Sequence, residues 1–80
     1  MHIKEHYGMV TVEDIIEYLT RIIAEDRLSG NRVGLLNSQR AAGFLMTAAN
    51  AYGDKQTARR FQLLAAEAAN KNEELDRNRD

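Results

Sequence analysis

NSQRAAGFLMTAANAY, residues 37 to 52, is the stretch on which the fold turns. Wound at about 3.6 residues per turn, its polar or bare positions Arg40, Gly43, Thr47 and Asn50 fall on one narrow stripe. Everything between them is apolar: Ala41, Ala42, Phe44, Leu45, Met46, Ala48, Ala49, Ala51 and Tyr52. A surface helix hides roughly a third of its circumference, so one apolar over most of its girth needs neighbours on two or more sides. The pattern predicts a central helix over 38–52, capped by Asn37 or Ser38, with Leu36 and Ala41 at staple spacing if Asn37 is the cap.

On the C-terminal side Gly53 ends this helix, because glycine readily takes the left-handed conformation there. Asp54 caps the next one after almost no loop, which folds the two helices back antiparallel. That third helix is expected over 55–75, where Ala58, Phe61, Ala65, Ala68, Asn72 and Leu75 alternate at three and four with Leu64 beside them. Residues 76–80 are too polar to hold themselves and are expected to fray.

On the N-terminal side Ser29-Gly30-Asn31 breaks the pattern, and residues 28 to 37 read as a connector of about ten residues. Its Val33, Leu35 and Leu36 are expected to tuck over the core; the alternative is an exposed patch for a partner. Before it, Val12, Ile15, Ile16, Leu19, Ile22 and Ile23 repeat at three and four, an amphipathic helix over 11–27. Thr11 caps it, Asp14 reaches back to the cap, and Val10 and Ile15 are spaced for a staple. Glu13 and Asp14 near its start and Arg27 near its end suit the helix dipole. Residues 1–10 lack helical periodicity and read as an extended arm. The fold class is therefore all-α: a three-helix antiparallel bundle with an N-terminal arm, forming one domain over 1–80.

Composition narrows the rest. Apolar residues make up 44% of the 80, but eleven of them are Ala, so the core is thin and self-association is a common remedy. There is no Cys, hence no disulfide or thiolate metal site, and no Pro. Neither a signal peptide nor an apolar run long enough to span a membrane is visible, so the expected setting is cytoplasmic. The net charge of −1 is unevenly spread: −4 over residues 1 to 26, +5 over 27 to 60 and −2 over the remainder.

Leu45, Ala49, Gly53, Ala58 and Ala65, spaced four, four, five and seven apart, resemble the signature of a tetratricopeptide-type helical hairpin, in which small residues sit where two helices cross. The similarity covers residues 42–70. The chain departs from it at Ala42 and Gln62, where that family places large residues, and at Asn70, near its usual proline. The resemblance implies antiparallel packing of two helices across the Gly-Asp turn, and suggests peptide binding. A DNA-binding helix-turn-helix would need apolar side chains at Arg59 and Gln62; Ala58 and Phe61 are apolar instead, which favours the hairpin.

Catalytic chemistry finds no footing. The two histidines, His2 and His6, share a helix face only if the arm is helical, and no third ligand stands near them. Glu13 and Glu17 lie on the outer face of an amphipathic helix, where solvation explains them better than acid–base work. Gly30 and Gly34 match no phosphate-loop spacing. No enzyme, metal or cofactor is expected.

The basic middle leaves two readings. Lys55, Arg59 and Arg60 sit in the first turns of a helix, where the dipole disfavours cations. Either they meet the acidic face of the first helix, within the chain or across a dimer, or with Arg32 and Arg40 they contact phosphates or an acidic partner. Near-neutral total charge and the lack of interleaved aromatics count against nucleic acid. The expected function is a small non-catalytic protein–protein interaction or regulatory module, homodimeric, with Phe44, Leu45, Ala48, Tyr52, Phe61 and Leu64 at the contact. The alternative is a nucleic-acid-binding protein using the basic segment.

Overall fold

A computed structural model describes residues 9 to 78 as three helices: α1 (Val12–Ser29), α2 (Arg32–Ala51) and α3 (Lys55–Arg77). Most of the arm expected over 1–10, with His2 and His6, lies outside the described residues. At the start of α1 the Asp14 amide donates to Thr11 Oγ1 at 3.1 Å, and the Thr11 amide donates to the Asp14 carboxylate at 3.1 Å. Two otherwise orphaned donors are thereby satisfied. Val10, spaced for the staple, stays largely exposed.

Both joints use one device. Gly53, at φ 80°, turns the chain at the end of α2; its amide donates to Asn50 O and the Asp54 amide to Ala49 O. Asp54 then accepts from the Thr57 amide at 3.1 Å and starts α3. At the end of α1, Gly30 stands at φ 71°, its amide donating to Arg27 O and that of Asn31 to Asp26 O. Asn31 accepts from the Gly34 amide at 2.9 Å and starts α2. Each joint pairs a left-handed glycine that recovers the last carbonyls of one helix with a side chain that caps the next.

The connector expected over 28–37 is therefore corrected. Leu28 and Ser29 complete α1, residues 32 to 37 are the first turns of α2, and neither Asn37 nor Ser38 is a cap. Gly34, which reads as a second loop glycine, is helical and makes room for a neighbour. A Cβ there would overlap Asp26 Oδ2 and lie 2.7 Å from Asp26 Cγ. The Asp26 side chain is buried in this crevice, its Oδ1 accepting from Asn31 Nδ2 at 3.3 Å beside the first turn of α2. The dipole of that helix favours a carboxylate at this point.

Gly34, Ser38 and Ala42 follow one another at four-residue intervals, the first two beside Leu19 and Ile22 of α1 and the third packed with Leu19. Ser38 is buried within the helix. Small side chains along this line let α1 come close.

The core has two layers, each with one buried residue from every helix. Leu19, Ala42 and Phe61 form the first, with Ile15, Ile22, Leu45 and Met46 around them. Ile23, Leu35 and Ala68 form the second, next to Leu64 and Leu75. Leu35, from the supposed connector, is the largest side chain with essentially no exposure, while Val33 beside it faces outward. α3 buries the stripe its spacing predicts: Ala58, Phe61 and Ala68 are buried, and Ala65, Asn72 and Leu75 partly so.

α2 packs along α3 for most of its length, and α1 touches both less extensively. Ion pairs give the directions. Glu13 meets Arg60 and Arg27 meets Glu74, so α1 and α3 run the same way, while Arg32 at the start of α2 meets Asp76 near the end of α3, so α2 runs against both. No helix among the described residues is long and apolar enough to cross a membrane.

Candidate partner-binding surface

α2 is not wrapped on all sides. Its outward positions follow the order Val33, Asn37, Arg40, Phe44, Thr47, Ala51, a repeat of four and three. Phe44 lies at the centre of this face and is 72% exposed; Tyr52, just past the last turn, is 91% exposed. The polar stripe read from the sequence is real at Arg40, Thr47 and Asn50, but a phenylalanine sits within it and Gly43 turns partly inward.

A second apolar surface lies between α1 and α3. Ile16, Thr20, Ile23, Ala24 and Leu28 line one wall of a groove of about 610 Å³, and Leu63, Leu64 and Glu67 the other. No residue of α2 lines it, so it opens on the side turned away from that helix. Leu28 is 82% exposed and Leu63 57%. Both belong to no core layer, so the fold is complete without them.

Charged pairs close the ends of the groove. Arg60 holds Glu13 with two bonds, Nη1 to Oε2 at 2.6 Å and Nη2 to Oε1 at 3.2 Å. At the other end Arg27 Nε donates to Glu74 Oε1 at 3.2 Å. The hydrogen bonds from Arg60, with its positive charge, hold the Glu13 carboxyl below its ordinary 4.5; the same bond raises Arg60 further. Lys71, on the α3 wall, reaches Glu67 at 3.7 Å and Glu74 at 4.0 Å.

The six residues expected at a contact do not share one surface. Phe61 is in the core, Leu45 and Leu64 pack against it, and Ala48 is half-buried. Phe44 and Tyr52 stand free on the far side of α2, while Leu64 also lines the groove. The basic residues are similarly divided. Arg60 reaches the acidic face of α1, whereas Arg32 turns to α3, donating to Asn72 at 2.8 Å and Asp76 at 2.9 Å. Arg40, Lys55 and Arg59 make no ion pair among the described residues, and Arg32 and Lys55 lie at opposite ends of the bundle.

The groove residues Leu28 and Leu63 escape a reading by periodicity. Leu28 falls where a break is read, and Leu63 lies one step off the buried stripe of α3. The available signal was the doublet Leu63-Leu64, which widens that stripe beyond what two core layers need. No group of three or more potential metal-ligating side chains stands together among the described residues. No protein family, curated protein or solved structure matches the chain.

Proposed function

We propose that the chain is a non-catalytic protein–protein interaction module, a small regulatory or adaptor protein that works by presenting apolar surface. One observation carries this reading: among the large apolar side chains that stay exposed, Leu28 and Leu63 lie on the α1–α3 groove and Val33, Phe44 and Tyr52 on the outer side of α2 or just past its end, while Met9, Val10, Val12 and Tyr18 stand apart from both. Single exposed apolar residues are ordinary on soluble proteins, and Val33 alone would mean nothing. Leu28 and Leu63 differ because they stand on a continuous groove with Ile16, Ala24 and Leu64, and contiguous apolar surface marks interaction sites.

The nucleic-acid alternative has less support. Arg32 and Arg60 are already neutralised by carboxylates, and the three remaining cations are divided between the middle of α2 and the start of α3. A phosphate-binding surface calls for cations clustered on one face.

The test compares polypeptides recovered from the native host by the wild-type chain and by a Phe44→Asp, Leu63→Asp double variant. Both sites are exposed, so the variant keeps its helix content. A defined partner retained by the wild type and lost by the variant is expected. Equal recovery, or binding to random duplex DNA that falls steeply with salt and is reduced by Arg59→Ala, would overturn the reading.

A further inference from the structure

We infer that the groove between α1 and α3 is closed by a second copy of the chain, related by a two-fold axis that runs along the helices. The inference rests on reading the chain as an interaction module and names its partner. Its basis is the arrangement of charge around the groove.

The ion pairs at the two ends, Glu13–Arg60 and Arg27–Glu74, each join residues 47 apart in sequence. α1 and α3 are thus held in a single register, with fourteen residues, or about 21 Å of helix, between the ends. The four charges mark the corners of a rectangle. On α1, Glu13 is negative and Arg27 positive; on α3, Arg60 is positive and Glu74 negative. The signs alternate around it.

Such a rectangle complements itself. Turned over onto a second copy about an axis in its own plane, every corner meets the opposite sign. With the axis along the helices, Glu13 faces Arg60 of the second copy and Arg27 faces its Glu74. With the axis across the helices, Glu13 faces Arg27 and Arg60 faces Glu74. Like charges never meet at the corners: the lengthwise match repeats between copies the pairings each chain makes within itself, and the crosswise match follows from the reversal of sign along each helix.

The groove between the corners selects one axis. Carried across by the register of 47, the lengthwise axis sets Leu63 of one copy over Ile16 of the other, Glu67 over Thr20 and Lys71 over Ala24. The crosswise axis would place Glu67 against Glu67, and Leu63 against Lys71. Each axis keeps one apolar contact, Leu63 on Ile16 or Ile16 on Ala24, but only the lengthwise axis avoids opposing two Glu67 carboxylates at the centre, and it is therefore the one the groove favours. A face two helices wide, roughly 20 Å by 21 Å, covers only about 420 Å² on each copy, about half the ~800 Å² per partner of a standard interface, so the association is a weak one that appears only as concentration rises.

Sedimentation equilibrium from about 1 to about 200 µM, a range chosen for weak association, tests this with the full chain. The wild type is expected to pass from monomer to dimer. Leu63→Asp, which sets a carboxylate against Ile16 of the second copy, and, independently, Leu28→Asp at the Arg27 end of the groove should each weaken the dimer on the order of tenfold or more. Phe44→Asp, on the opposite face, should leave it unchanged. Arg60→Glu should weaken it, because carboxylates then oppose each other across the interface.

Adding Glu13→Arg to Arg60→Glu should restore association, because the lengthwise axis still opposes unlike charges. Under the crosswise axis the same exchange would set the introduced guanidinium against Arg27. Failure of the exchange to restore the dimer would overturn the axis. A dimer sensitive to Phe44→Asp but not to Leu63→Asp would overturn the groove. A monomer at all concentrations would overturn self-association altogether, and the interaction-module reading would then stand or fall on the host-recovery comparison alone.

Discussion

Gly34 and Gly43 both lie inside α2, yet the structure gives them opposite roles. At Gly34 a methyl group would collide with the buried carboxylate of Asp26, while at Gly43 it would meet nothing within 4 Å. Gly34→Ala is expected to destabilise the fold by about 1–3 kcal/mol, the usual cost of overpacking a close contact. Gly43→Ala should stabilise it by roughly 0.5–1 kcal/mol, as removal of a mid-helix glycine generally does. Urea denaturation of the two variants checks both signs. Adding Asp26→Ala should cost less in the Gly34→Ala background than in the wild type, because the pair is in direct contact. The sequence hides this distinction. It prints two glycines, and only the carboxylate arriving from the preceding helix makes one of them necessary.

Among the elements, α1 and α3 were the most legible, because each carries an unbroken apolar repeat and a local start signal. The Thr11–Asp14 capping box and the Gly53-Asp54 joint are contained within a few residues, so no tertiary information is needed to see them. The start of α2 was not legible for a physical reason: Gly30-Asn31 carries the same signal as Gly53-Asp54, but the glycine at Gly34 and the exposed Val33 make the first turn of the helix resemble loop. The links between elements are polar and should respond to acid. Glu13 is held below its ordinary 4.5 by its bonds from Arg60, and Asp54 below 3.8 by its bond from Thr57. Because folding lowers both values, their contribution is complete above about pH 4.5 and is lost as the pH falls through the folded values. The urea midpoint should therefore decline below about pH 4.5, with a shallower slope in Arg60→Ala, which removes the cause of the Glu13 shift. Parallel slopes for wild type and Arg60→Ala would contradict that assignment.

For the whole molecule, the sequence foretold the three-helix bundle, and the fold divides the six residues expected at a contact between core and surface. Phe61 and Leu45 are absorbed because α1 and α3 close over the inner half of α2, and exposed apolar surface lies instead at Phe44, Tyr52, Leu28 and Leu63. Helical periodicity states how much of a helix is apolar. It does not state which neighbour arrives, and the groove arises from how α1 and α3 lie together, which no single repeat encodes. The most direct test of the account is to follow backbone amide shifts by NMR as the protein is diluted through the range in which the proposed dimer would dissociate. Shifts at Ile16, Thr20, Ala24, Leu28, Leu63 and Glu67 should move together with concentration while those around Val33, Phe44 and Ala51 stay fixed. Shifts that do not change on dilution, or that move on the outer face of α2 instead, would contradict it.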